Sequence, residues 1–271
     1  NNSPGDGKII ITQDYEINIP LQTTPEKVPV DIIVYIRSTT NYNNTDSIVF
    51  RSRPDYESSP GFKPVLFGGI YWAPVNVGAT TISGELNLAN MGKVYQWGRN
   101  GYGTEVIDDT NTPYTDTQLG PVTYAESTGL YANKFIIGSS DWLSAQDAYL
   151  PTRNLLWSRN VNDSPCPPGW RVPRADELAK LNDTFSTGNV EPGRYRYGIM
   201  GDEGTDKLYL PFAGHRMYKT GESFLRGYDA VYWSSSSNGD GKAARFYLRA
   251  DVANILYTDY GFGLSIRCVQ E

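Results

Sequence analysis

All six tryptophans (Trp72, Trp97, Trp142, Trp157, Trp170, Trp233) lie after residue 70, in a stretch dense with glycines and aromatics and free of any long amphipathic stripe. That part of the chain reads as strands and loops with few helices. One helix stands out. Ala175, Leu178 and Leu181 fall at spacing three behind Pro173, whose missing donor suits a first turn. Asp176 and Glu177 stand early, where the helix dipole favours negative charge. A weaker helix is expected from about Ile82 to Met91, and residues 100–160, with many Gly, Asn, Asp, Thr and Pro, read as loop-rich. Strands return at 207–212, 230–234, 243–249, 255–257 and 264–269. In the last of these Leu264, Ile266 and Cys268 share one face by period two, which points Cys268 into the core.

The start of the chain differs. Residues 1–8 are a polar leader, and residues 9–60 form a short β-rich segment. Ile9-Ile10-Ile11 leads into Tyr15, Ile17 and Ile19, and Pro20, Pro25 and Pro29 make this an edge or a connection. Ile32–Ile36 and Ile48–Phe50 read as strands, with the polar stretch Thr39–Asp46 between them as in a hairpin. So short a segment makes a poor independent core, so it is expected to pack on the rest or to complete a partner's sheet. Residues 52–64, with Ser58-Ser59-Pro60-Gly61, are the best linker, and residues 61–271 form the main domain.

Composition excludes several classes. Hydrophobic residues make up 39% and charged residues 20%, as in globular rather than disordered chains. The formal charge is -6 with no lysine-arginine cluster, which argues against nucleic acid and against electrostatic attachment to anionic lipid. No apolar run is long enough to span a bilayer. The opening Asn1–Lys8 reads as the start of a mature exported protein, with outer-membrane attachment through a lipid anchor as the further expectation. The two cysteines, Cys166 and Cys268, cannot form a four-thiolate zinc site or a C-x-x-C pair. By themselves they are either two buried thiols or one structural disulfide in an oxidising compartment.

Six phrases occur in order. They are Gly69–Ala79 (GIYWAPVNVGA), Gly92–Arg99 (GKVYQWGR), Cys166–Pro173 (CPPGWRVP) with Asp176-Glu177-Leu178, Leu210–Arg216 (LPFAGHR), Tyr232–Ser236 (YWSSS), and Gly263–Val269 (GLSIRCV). Together they resemble the Fibrobacter succinogenes major paralogous domain family, found in secreted proteins and lipoproteins of gut and oral Bacteroidetes-type bacteria. The resemblance spans roughly residues 65 to 271. It implies an α+β, C-type-lectin-like domain, loop-rich, with small twisted antiparallel sheets and few helices. It also implies that Cys166 and Cys268 are bonded to each other. This chain departs from the family at Arg174, where a capping serine or threonine often stands. Arginine accepts no hydrogen bond, so a first-turn amide needs another partner.

Candidate chemistry is sparse. The lone histidine, His215, reads as structural. Ser234–Ser237 follow Trp233 without a G-x-S-x-G elbow, and read as a polar strand end. The formylglycine-generating relatives act through a cysteine, whereas both cysteines here fall in structural phrases. Asp202, Glu203 and Asp206 are weak calcium candidates, since EF-hand spacing is missing and a solvated turn is the favoured reading. The Glu-Pro-Asn and Gln-Pro-Asp triplets of calcium-dependent lectins are missing too; Glu191-Pro192-Gly193 only approaches the first. Asn238–Gly241 reads as a hairpin turn. No cofactor is expected. Sugar binding without calcium would use exposed aromatic faces, for which Trp142, Tyr149, Tyr218 and Tyr228 are candidates. The expected function is a non-catalytic cell-surface binding or adhesion protein for a glycan or a surface protein. A structural or pilus-accessory role, with fimbrial subunits as partners, is the alternative, and an enzyme of polysaccharide metabolism is the third.

Overall fold

The computed structural model describes residues 31–37, 45–51, 63–82, 86–99, 104–105, 116–147, 153, 156–157, 164–167, 169–185, 198–203, 206–249 and 252–270. The expected leader, the strands expected over 9–29, and Glu191-Pro192-Gly193 lie outside these residues. Two compact units are present, Asn1–Asp55 and Tyr56–Glu271.

In the first unit, β1 (Asp31–Arg37) and β2 (Thr45–Arg51) pair antiparallel, from Asp31 opposite Arg51 to Arg37 opposite Thr45. They carry the two β-branched runs that the sequence marks as strands.

The second unit is sheet-rich, with three short-to-medium helices among the described residues. Its elements are β3 (Val65–Phe67), β4 (Ile70–Trp72), α1 (Leu88–Met91), β5 (Lys93–Gln96), β6 (Thr104–Glu105), β7 (Thr117–Leu119), α2 (Tyr124–Thr128) and β8 (Phe135–Ile137). Then come β9 (Trp170–Arg171), α3 (Ala175–Phe185), β10 (Gly198–Glu203), β11 (Asp206–Pro211), β12 (His215–Arg216) and β13 (Ser223–Phe224). The chain closes through β14 (Ala230–Ser237), β15 (Lys242–Arg249), β16 (Val252–Asp259), β17 (Gly263–Ser265) and β18 (Val269–Gln270). The main sheet runs β13-β12-β17-β14-β15-β16, with β5 also on β17 and β6 on β5. A second sheet, β3-β4-β18-β9, joins the two ends of the unit by pairing Trp72 with Val269. The class is α+β.

The main sheet has a packed core on each face. On one, Leu178 and Leu181 of α3 pack with Tyr232, Phe246, Leu248, Leu210 and Phe212. On the other, Trp97, Trp157, Trp170, Trp233 and Tyr260 gather around Leu264 and Ile266. Buried indoles need acceptors, and they find carbonyls: Trp97 donates to Ser234 at 2.8 Å, Trp233 to Tyr95 at 2.7 Å and Trp142 to Trp97 at 2.8 Å. Cys166 and Cys268 belong to this second core and form a disulfide that closes 102 residues of chain.

Three expectations need correction. Pro173 precedes α3 rather than occupying its first turn, its carbonyl taken by the Ser235 amide at 2.8 Å, while the helix starts at Ala175 with Arg174 at the expected cap position. Helix α1 starts at Leu88 rather than Ile82, because the Asn87 side chain caps it by accepting the Ala89 and Asn90 amides. The expected strand 264–269 is two strands, β17 and β18, in different sheets. Ile266–Cys268 crosses between them with both faces buried, so Arg267 is as deep as Cys268. Arg267 donates to Asn76 Oδ1 at 3.0 Å, to Ala73 O at 3.0 Å and to Tyr209 O at 2.8 Å.

Candidate functional site: an open shelf on the main sheet

Strand β15 reads Lys-Ala-Ala-Arg-Phe-Tyr-Leu-Arg, with Ala244, Phe246 and Leu248 buried and Arg245, Tyr247 and Arg249 half-buried. Period two separates the sets. The apolar set faces α3, and the polar set faces the other way. Cross-strand partners share a face, so Arg245 sits between Trp233 of β14 and Leu256 of β16, and Tyr247 between Val231 and Asn254. Toward β14 the second core covers this face. Toward β16 it opens, and Val252, Asn254 and Leu256 are all exposed.

Two further groups join the shelf from the β12–β14 side. Gly214 and Ala230 form a parallel bridge, and the Gly214 amide donates to Asp229 O at 2.8 Å. This sets His215 and Asp229 beside the start of β14. Asp229 is fully buried, and its Oδ1 accepts Arg249 Nε at 3.0 Å. His215 Nδ1 and Arg245 Nε are buried without a hydrogen-bond partner among the described residues, and the Tyr247 hydroxyl bonds to the Asp229 carboxylate. Such atoms each cost roughly 1–3 kcal/mol, so two of them in the main sheet make this face a candidate site.

Electrostatics follow from burial. Desolvation, then the Arg245 charge, lowers the His215 imidazole to about 4, so it is neutral near pH 7. Desolvation lowers the Arg245 guanidinium as well, against the opposing pull of Tyr247 and Asp229. Burial and the Asp229 carboxylate both push the Tyr247 hydroxyl up.

The rim is aromatic. Phe224, opposite His215 in β13, is 52% exposed, and Tyr228 is 66% exposed. His215 meets Phe224 edge-on at 5.7 Å and Phe262 at 5.8 Å, and Phe262 meets Tyr218 at 4.9 Å. A turn places Tyr228 next to Asp229. Leu225 there adopts φ 57, and its carbonyl accepts the amides of Tyr228 and Asp229, both at 3.0 Å. Chemically, the shelf offers exposed ring faces for stacking and fixed polar groups for hydrogen bonds. Among its described residues the carboxylate is Asp229.

The residues singled out from sequence are dispersed. Tyr228 stands at the rim, and half-buried Tyr218 continues its aromatic run. Trp142 is corrected: it is fully buried, its Nε1 donates to Trp97 O, and Arg153 stacks on its ring at 4.5 Å, so no face is left for a ligand. Arg153 also stacks on Tyr260 at 4.5 Å and pairs with Asp141. Tyr149 lies outside the described residues. Asp202 and Glu203 end β10 and Asp206 begins β11, with Glu203 opposite Asp206, and their side chains lie outside what is described. Among the described residues no three acidic, histidine or cysteine side chains gather as a metal site, and no helix is long and apolar enough to cross a membrane. Ser234–Ser237 do finish a strand, β14. Sequence reading missed Phe224, Asp229, Arg245 and Tyr247, although the alternation in β15 was there to be read.

Neither a family model, nor a curated protein, nor a solved structure matches the chain.

Proposed function

We propose that the chain is a non-catalytic binding module of an exported cell-surface protein, and that it takes a glycan on the shelf. One observation carries this reading. Two strongly exposed aromatic residues stand by the polar groups: Phe224 meets the His215 ring, and Tyr228 immediately precedes the buried Asp229. Sugars present apolar C–H faces to rings and hydroxyls to such groups, which supports a binding role for this surface. The disulfide supports an oxidising compartment. The six sequence phrases, the pairing of Trp72 with Val269 and the closing disulfide support a C-type-lectin-like domain over residues 61–271. Saturating glycan-array binding should be lost in Phe224→Ala and Tyr228→Ala. Undiminished binding in both variants would reject the shelf, and no bound glycan at all would reject the sugar.

A second reading has its own observation. Among the described residues the first unit holds one two-stranded sheet, β1–β2, and an isolated hairpin is marginal in water. A neighbour's strand added to it would make the chain a pilus-accessory or envelope subunit.

A further inference from the structure

The shelf is not electrically neutral. Arg249 is engaged with the Asp229 carboxylate. Among the described residues Arg245 makes no hydrogen bond and no ion pair, and the side chain is half-buried with its Nε covered. Beside it His215 is a buried, neutral ring whose Nδ1 has no hydrogen-bond partner among the described residues. Arg245 is also held in place: it lies over the Tyr247 ring at 5.5 Å and between Trp233 and Leu256. A guanidinium fixed on a sheet, with no partner among the described residues, is pre-organised for a planar two-oxygen anion. This positive group sits in a chain of formal charge -6, where Asp and Glu outnumber Lys and Arg by 30 to 24.

We infer that the shelf binds an acidic sugar, with the sugar carboxylate on the outer edge of Arg245 and the ring against Phe224 or Tyr228. This rests on the glycan reading above and narrows it to one ligand class. A phosphate or sulfate would also meet a guanidinium. The open strip beside Arg245 is lined by Tyr247, Asn254 and Leu256, which suits a single planar carboxylate carried on a pyranose better than a multiply charged anion. The His215 imidazole then lies beside the bound sugar as a neutral ring. No bond is made or broken.

The test uses the full chain with trigalacturonate and with its methyl ester, which keeps the sugar and removes the charge. The acid should bind about tenfold more tightly than the ester, as a charge-assisted contact requires. Arg245→Gln should bring the two to the same affinity, and Phe224→Ala should weaken both. If the variant does not fold, the wild-type protein suffices, because raising salt to about 0.5 M should erase the preference for the acid and leave the ester unchanged. Equal binding of acid and ester by the wild type overturns the inference and leaves the shelf intact as a neutral-sugar site. A preference that survives Arg245→Gln overturns it also, as does equal competition by a short polyaspartate peptide. Failure of both probes together with an empty glycan array would remove the glycan reading itself.

Discussion

The hydroxyl of Ser236, at the end of β14, accepts the backbone amide of Ala175, the first residue of α3, at 3.0 Å. Arg174 holds the cap position and has no acceptor to offer, so the cap comes from a strand sixty-one residues away. Glu177 completes the arrangement by accepting the Arg174 amide at 2.8 Å and both ends of the Arg171 fork. Ser236→Ala should cost about 1 kcal/mol in urea unfolding, the usual loss for a removed cap. Adding Arg174→Ser should restore part of it, since the new hydroxyl can cap locally.

The disulfide ties the segment before α3 to the crossing segment between the sheets. Closing a loop of this length should stabilise by up to ~4–5 kcal/mol on chain-entropy grounds. Denatured, unreduced protein should show no free thiol in a thiol assay. Cys166→Ser with Cys268→Ser should lower the urea midpoint accordingly.

Arg267 is buried, and three protein oxygens receive its fork. Arg267→Lys keeps the charge but cannot reach all three. It should destabilise by roughly 3 kcal/mol, through acceptors left bare and a charge without its full shell.

His215 makes stability depend on pH. Burial, then Arg245, holds its folded value at about 4, whereas the unfolded chain titrates near ~6.5. Between those values the unfolded state binds a proton that the folded state refuses. Stability is therefore full above about pH 6.5 and falls as pH drops toward 4. Going from pH 7 to pH 5 should cost about 2 kcal/mol in urea unfolding. His215→Gln should flatten that slope, and no other histidine is present to mask it.

How much of this was legible depended on whether burial follows local pattern. Alternation and β-branching placed β1, β2, β14, β15 and β16, and helix spacing placed α3. The break between β17 and β18 was hidden because Ser265 and Arg267 are as buried as Leu264 and Ile266, so polarity no longer tracked the face. The distant cap on Ala175 and the long-range acceptors of Arg267 are tertiary facts that no window of sequence contains. The shelf was half visible. Arg245, Tyr247 and Arg249 alternate against the apolar set, but Asp229 and His215 reach them only through the Gly214–Ala230 bridge. Trp142 misled because its neighbours are polar in sequence while its contacts in space are Trp97 and Arg153.

Because His215 is the single histidine and lies in the shelf, its imidazole gives one nitrogen-15 signature that reports on the site alone. Following that signature while trigalacturonate is added to the full chain tests the binding account most directly. The account predicts a saturable shift of the Nε2 resonance at the same concentration that saturates binding measured by calorimetry. Calorimetric binding with an unmoved His215 resonance would place the sugar elsewhere and contradict it.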